Sequence, residues 1–105
     1  MDKVKLYSKS FENEENMKFH LNYFLLIRSA EQGQIFGIAI HKTDDCGVTE
    51  EDAVEGLFEN REEAEAFLFR LEEGLALPVE LTALCDDYIS EKENENINKM
   101  EQEVS

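Results

Sequence analysis

Residues Asn60 to Ile89, NREEAEAFLFRLEEGLALPVELTALCDDYI, constrain the fold more than any other stretch, because they carry two helical stripes separated by one glycine and one proline. Ala64, Phe67, Leu68, Leu71 and Leu75 recur at i, i+3, i+4, i+7 and i+11, one face of a 3.6-residue helix. Asn60, with Glu63 three residues on, gives the helix start, although Asn stands where a capping box prefers Ser or Thr. Gly74 is expected to end the helix in a left-handed turn. Pro78 suits the first turn of the next helix, where its missing N–H costs nothing. Leu77, Leu81, Leu84, Cys85, Tyr88 and Ile89 form the second stripe. Two such stripes need a second layer to cover them, and the preceding residues read as a sheet.

The strongest strand signal lies in that preceding half. Leu21, Tyr23, Leu25 and Ile27 share one face, with Asn22, Phe24, Leu26 and Arg28 on the other. After SAEQG a second run places Phe36, Ile38 and Ile40 on one face and Ile35, Gly37, Ala39 and His41 opposite, which reads as a β-hairpin. Both faces are largely apolar, so one takes the helices and the other needs the N-terminal strand folded across it, or a second copy of the chain. Gly37 with Ala39 marks where another element approaches closely. Val4 to Phe11 alternates weakly, as an edge strand whose lysines discourage edge-to-edge pairing, and Glu12 to Asn16 is a polar connector. Thr43 to Asp52 reads as a turn-rich acidic loop. Ala53–Phe58 fits either a strand or a short helix capped at Thr49; Gly56, which costs a helix interior about 1 kcal/mol, favours a fourth strand.

The expected fold is α+β: an antiparallel sheet of three or four strands built on the hairpin and covered on one face by a C-terminal helical hairpin. Residues 1–90 form one domain. Residues 91–105 are expected to be an acidic, flexible tail, because Ile97, Met100 and Val104 make too short a seam for a coiled coil alone.

The net charge of −15 is divided unevenly. Residues 1–42 hold six Lys/Arg and five Asp/Glu, whereas residues 43–105 hold four and twenty. The acid belongs to the helical half, which argues against direct contact with nucleic acid or anionic membranes and suits a basic protein partner. No run approaches the roughly 20 apolar residues of a membrane span, and MDKVKLYSKS lacks the apolar core of a signal peptide, so a cytoplasmic location is expected. Cys46 and Cys85 are expected to stay reduced.

One aromatic departs from the stripe. Phe69 lies about 140° round the helix from Ala64, and its helical neighbours are Glu65, Ala66, Glu72 and Glu73. A large apolar anchor rimmed by carboxylates is what a docking site for a basic protein surface needs. The alternatives are that Phe69 packs under the N-terminal strand or the tail, or is one singly exposed hydrophobe. Phe69, Glu65, Ala66, Glu72 and Glu73 are therefore the candidate partner-binding residues.

Elsewhere the chemistry is thin. Asp44, Asp45, Glu50, Glu51 and Asp52 lack the spacing that wraps oxygens round Ca²⁺. His20 and His41 share a face only if the hairpin register permits, and no further His or Cys pair completes a zinc site. Asp86 and Asp87 are helix neighbours pointing about 100° apart, so they cannot act as a facing pair. No nucleophile, phosphate-loop or zinc-protease motif is present, so no catalytic residue, metal ligand or cofactor is assigned.

The arrangement resembles a small uncharacterised domain-of-unknown-function family of Gram-positive anaerobes. The shared order is a Tyr-initiated strand at Tyr23, the aromatic-Gly-Ile of Phe36, Gly37 and Ile38, the N-x-E-E-A-E helix start, the Leu-Pro-x-x-Leu step and the ending Asp86, Asp87, Tyr88, Ile89. The resemblance runs from Tyr23 to Ile89, departs at Thr43 to Asp52 and in the tail, and implies a cytoplasmic bacterial α+β protein with no assigned activity. Three functions stand open: a non-catalytic protein-interaction or regulatory module, which includes homodimerisation through the sheet; an acidic decoy that occupies a basic nucleic-acid-binding protein; and a metal-dependent or thiol enzyme.

Overall fold

The computed structural model describes the backbone of residues 1–104 and the side chains of residues 1–93. Four strands, β1 (Asp2–Glu12), β2 (Lys18–Ala30), β3 (Gly33–Asp44) and β4 (Thr49–Phe58), form an antiparallel meander in the order β1-β2-β3-β4. Helix α1 (Arg61–Glu73), a 3₁₀ turn (Pro78–Glu80) and helix α2 (Leu81–Val104) follow and lie on one face.

The hairpin of β2 and β3 closes on a two-residue turn, with Ala30 opposite Gly33. Its register sets Tyr23 against Ile40 and Leu25 against Ile38, so the apolar sets of both strands share the covered face. Ala64, Phe67, Leu68 and Leu71 of α1, with Leu81 and Cys85 of α2, bury against Leu21, Tyr23, Leu25, Phe36, Ile38, Ile40 and Phe58. Phe58, Phe67 and Tyr88 fill the space between the helices with ring centroids 5.0–5.6 Å apart. Tyr23 is fully buried, and its hydroxyl donates to the carbonyl of Ala76 at 3.0 Å, tying the centre of the sheet to the chain between the helices.

Three local readings need correction. The residues between Thr43 and Asp52 are mostly strand: Thr43 pairs with Thr49, Lys42 with Glu50 and His41 with Glu51, leaving a turn over 45–48. Lys42 opposite Glu50 sets opposite charges across the ladder, which favours what acidic residues alone disfavour. Asp44 Oδ1 closes the turn by accepting from Cys46 N and Val48 N, both at 2.9 Å.

The second correction concerns the end of α1. Gly74 has φ −84°, and Leu75 takes the left-handed conformation at φ 52°. Ala76 N donates to Leu71 O at 3.0 Å and Leu75 N to Glu72 O at 3.2 Å, which is the Schellman arrangement with leucine in the place usually held by glycine. Leu75 thus leaves the α1 stripe and stands 36% exposed. Ile89 likewise lies at the exposed end of the α2 stripe.

The third concerns the N-terminal strand, which lies beside β2 as a sheet edge and does not fold across the other face. A register shift between Lys5 and Tyr7 puts Val4 on the same face as Tyr7, Lys9 and Phe11. That bulge breaks the period-2 pattern and accounts for its weakness in the sequence. The Ala53–Phe58 stretch forms part of β4, with Gly56 at φ 65° in the bulge opposite Gly37. Helix α2 continues through the stretch read as a tail, and the side chains of Ile97, Met100 and Val104 lie outside the described residues.

Candidate functional site

Helix α1 begins at Asn60, whose Oδ1 accepts from Glu62 N at 2.8 Å and Glu63 N at 3.3 Å. With Ala64, Phe67, Leu68 and Leu71 turned inward, the 3.6-residue period turns Glu62, Ala66, Phe69 and Glu73 outward, and all four are exposed. Phe69 is 46% exposed and is the only aromatic among the exposed large hydrophobics of the described residues. One side of its ring meets Tyr7 of β1, with centroids 6.1 Å apart and planes tilted by 56°. Part of the ring is therefore a lid on β1, and the rest faces outward.

The carboxylates around Phe69 fall into two sets. Glu72 reaches Lys9 Nζ at 3.1 Å, and Glu65 accepts from Arg61 Nε at 3.0 Å, so the flanking pair is neutralised within the chain. Glu73 and Glu62, at the two ends of the outward stripe, form no ion pair among the described residues. The Tyr7 contact is of the kind offered by the alternative that Phe69 packs against the N-terminal strand. That Tyr7 and Lys9 are the residues that meet α1 escaped sequence reasoning, because the bulge in β1 hides which face they turn to the helices.

The uncovered face of the sheet is less open than its sequence suggests. Leu26 and Ala39 are buried there, and Phe24 and Ile35 are half-buried. Lys3 Nζ lies 4.4 Å from the Phe24 ring centroid and pairs with Glu51 Oε1 at 2.6 Å. β1 and β4 are three strand spacings apart, about 14 Å in a flat sheet, so the pair forms because the sheet curls toward this face. Gly37 does mark a close approach, and the element that comes close is β4 itself: a Cβ there would lie 2.4 Å from Val54 O.

His20 pairs with Thr43 and His41 with Asn22, so the two histidines share a face on diagonal positions. His20 Nδ1 is 2.7 Å from Ser10 Oγ. Among the described residues no group of three or more His, Cys, Asp and Glu side chains converges to hold a metal. Burial, with Asp86 and Asp52 nearby, pushes the Cys85 thiol up to about 11, so it is a protonated core residue near neutral pH and a poor nucleophile. Cys46 is exposed in the turn before β4.

The model of a family of unknown function, DUF6514, matches residues 2–91. The chain belongs to that family. The DUF6514 match takes in all four strands, α1 and the first part of α2, and so includes residues 43–52, Phe69 and its surrounding carboxylates. No curated protein and no solved structure matches the chain. Within the DUF6514 span no helix is long and apolar enough to cross a membrane.

Proposed function

We propose that this chain is a small cytoplasmic bacterial protein that acts as a non-catalytic protein–protein interaction or regulatory module. Its contact is the outward face of α1 centred on Phe69, with Glu65, Ala66, Glu72 and Glu73 around it, and its partner is a basic protein surface. The observation that carries this reading is the half-exposed Phe69 ring, held by Tyr7 on one side and bordered by Glu73 and Ala66 on the other. A pre-positioned aromatic beside carboxylates supplies an apolar anchor and long-range attraction for a cationic partner.

A photoreactive benzophenone amino acid at position 69, in cells of the source organism, tests this. The expected result is one protein cross-linked from position 69 and absent when the same group stands at Glu31 in the β2–β3 turn. Phe69→Arg in the unlabelled competitor should abolish its ability to prevent the cross-link, while its melting temperature stays within about 4 °C of wild type. Equal cross-linking from positions 69 and 31 overturns the proposal.

The acidic decoy is supported by a different observation: four ion pairs among the described residues engage only four of the 22 Asp/Glu side chains of residues 1–93. It predicts capture of several nucleic-acid-binding proteins, indifferent to Phe69→Arg and lost between low and moderate salt.

A further inference from the structure

We infer that the partner segment on this face is a cationic amphipathic helix that lies along α1, an inference that rests on the interaction reading above. Glu62, Ala66, Phe69 and Glu73 stand at i, i+4, i+7 and i+11, a straight stripe about 16 Å long at 1.5 Å per residue. At its centre a small residue, Ala66, sits one turn from a large one, Phe69. That notch beside a knob is the relief into which the ridge of a second helix packs.

The backbone chemistry points the same way. The N–H and C=O groups in the middle of α1 are spent within the helix, so this face has no main-chain donors or acceptors to offer a visiting strand. An extended segment laid here would leave its own backbone unpaired on that side, whereas a helix brings its backbone already satisfied. Charge fixes the remaining features. The flanking carboxylates Glu65 and Glu72 are occupied by Arg61 and Lys9, and the axial ones, Glu62 and Glu73, form no ion pair among the described residues. The complementary helix therefore carries Lys or Arg at two positions about three turns apart, bracketing an apolar stripe that receives Phe69.

The test uses the full chain, isotopically labelled, and two synthetic peptides observed by NMR. One peptide is an alanine-based helix with two lysines eleven positions apart and leucines between them on the same face. The other has the same charges and leucines with two central prolines that abolish the helix. The inference expects saturable shifts at Ala66, Phe69 and Glu73 with the helical peptide. The Phe69→Arg variant should weaken that binding by at least about tenfold, as expected for an anchor residue. Affinity should also fall by at least about tenfold with the proline peptide, which must pay the ordering cost. Phe69→Leu, which keeps an apolar knob, should retain the site.

Equal binding of the two peptides overturns the inference, as do shifts centred on β4 or the curled sheet face. A cross-link from position 69 into a strand or loop of a partner overturns it while leaving the interaction module intact. Absence of any cross-linked protein removes both.

Discussion

Removing one oxygen atom at the centre of the sheet, in Tyr23→Phe, isolates the contact that fastens the helical layer to the strands. The ring stays, so its place in the buried apolar cluster is retained, and the change is confined to the hydroxyl that donates to Ala76 O at 3.0 Å. Tyr23 has no solvent-accessible surface and Ala76 is buried, so water cannot easily replace the lost donor. An orphaned buried carbonyl costs about 1–3 kcal/mol, and the lower part of that range, near 1.5 kcal/mol, is expected because the chain between α1 and the 3₁₀ turn has some room to shift. For a domain of this size that lowers the melting temperature by about 7 °C. Calorimetry of wild type and variant measures it directly. Hydrogen exchange should show the loss concentrated in the 3₁₀ turn and the start of α2, the elements next to Ala76. A melting temperature within about 1 °C of wild type would refute the reasoning, since it would mean the carbonyl finds another partner or is not buried in solution.

Three further outcomes follow from the same geometry. Gly37→Ala places a methyl 2.4 Å from Val54 O and 2.8 Å from Glu55 Cα, both backbone atoms that cannot swing aside, so urea unfolding should show a loss of about 2 kcal/mol or more. Gly74→Ala, by contrast, meets nothing closer than 3.5 Å at a φ of −84° and should raise stability by about 0.4–1 kcal/mol, whereas a left-handed Gly74 would make the same change costly. Alkaline stability should fall in two stages. The folded Cys85 thiol titrates near 11 against an ordinary 9, and the folded Tyr23 hydroxyl near 12 against 10, so the unfolded chain loses each proton first. Both contributions are intact below pH 9 and are lost as pH rises through 9–11 and then 10–12, at about 1.4 kcal/mol per unit for each group. A pH series of melting temperatures should lose its lower stage in Cys85→Ala and its upper stage in Tyr23→Phe.

Much of the architecture was legible because it depends on period alone. Alternation from Leu21 to Ile27 and from Phe36 to Ile40 gave the central hairpin, and the 3.6-residue stripe from Ala64 to Leu71 gave the inward face of α1. The same stripe put Phe69 outside the core, where it stands half-exposed. Local propensity misjudged 43–52, since acidic residues read as loop until their strand partners Lys42 and His41 are known. It also misjudged the end of α1: glycine at 74 signalled a left-handed turn, but the Schellman bonds fall one residue later and hold Leu75 there.

The sequence by itself determined which residues are apolar on which face of each element, and hence an α+β chain with the acid in its helical half. Tertiary structure alone decided the register bulges, the curl that brings Lys3 to Glu51, and that Glu72 is neutralised by Lys9, whereas Glu65 finds Arg61 four residues away in its own helix. The physical reason is distance along the chain. Lys9 and Glu72, or Tyr7 and Phe69, are some 60 residues apart, and only the packing of a bulged edge strand beneath a helix brings them within reach.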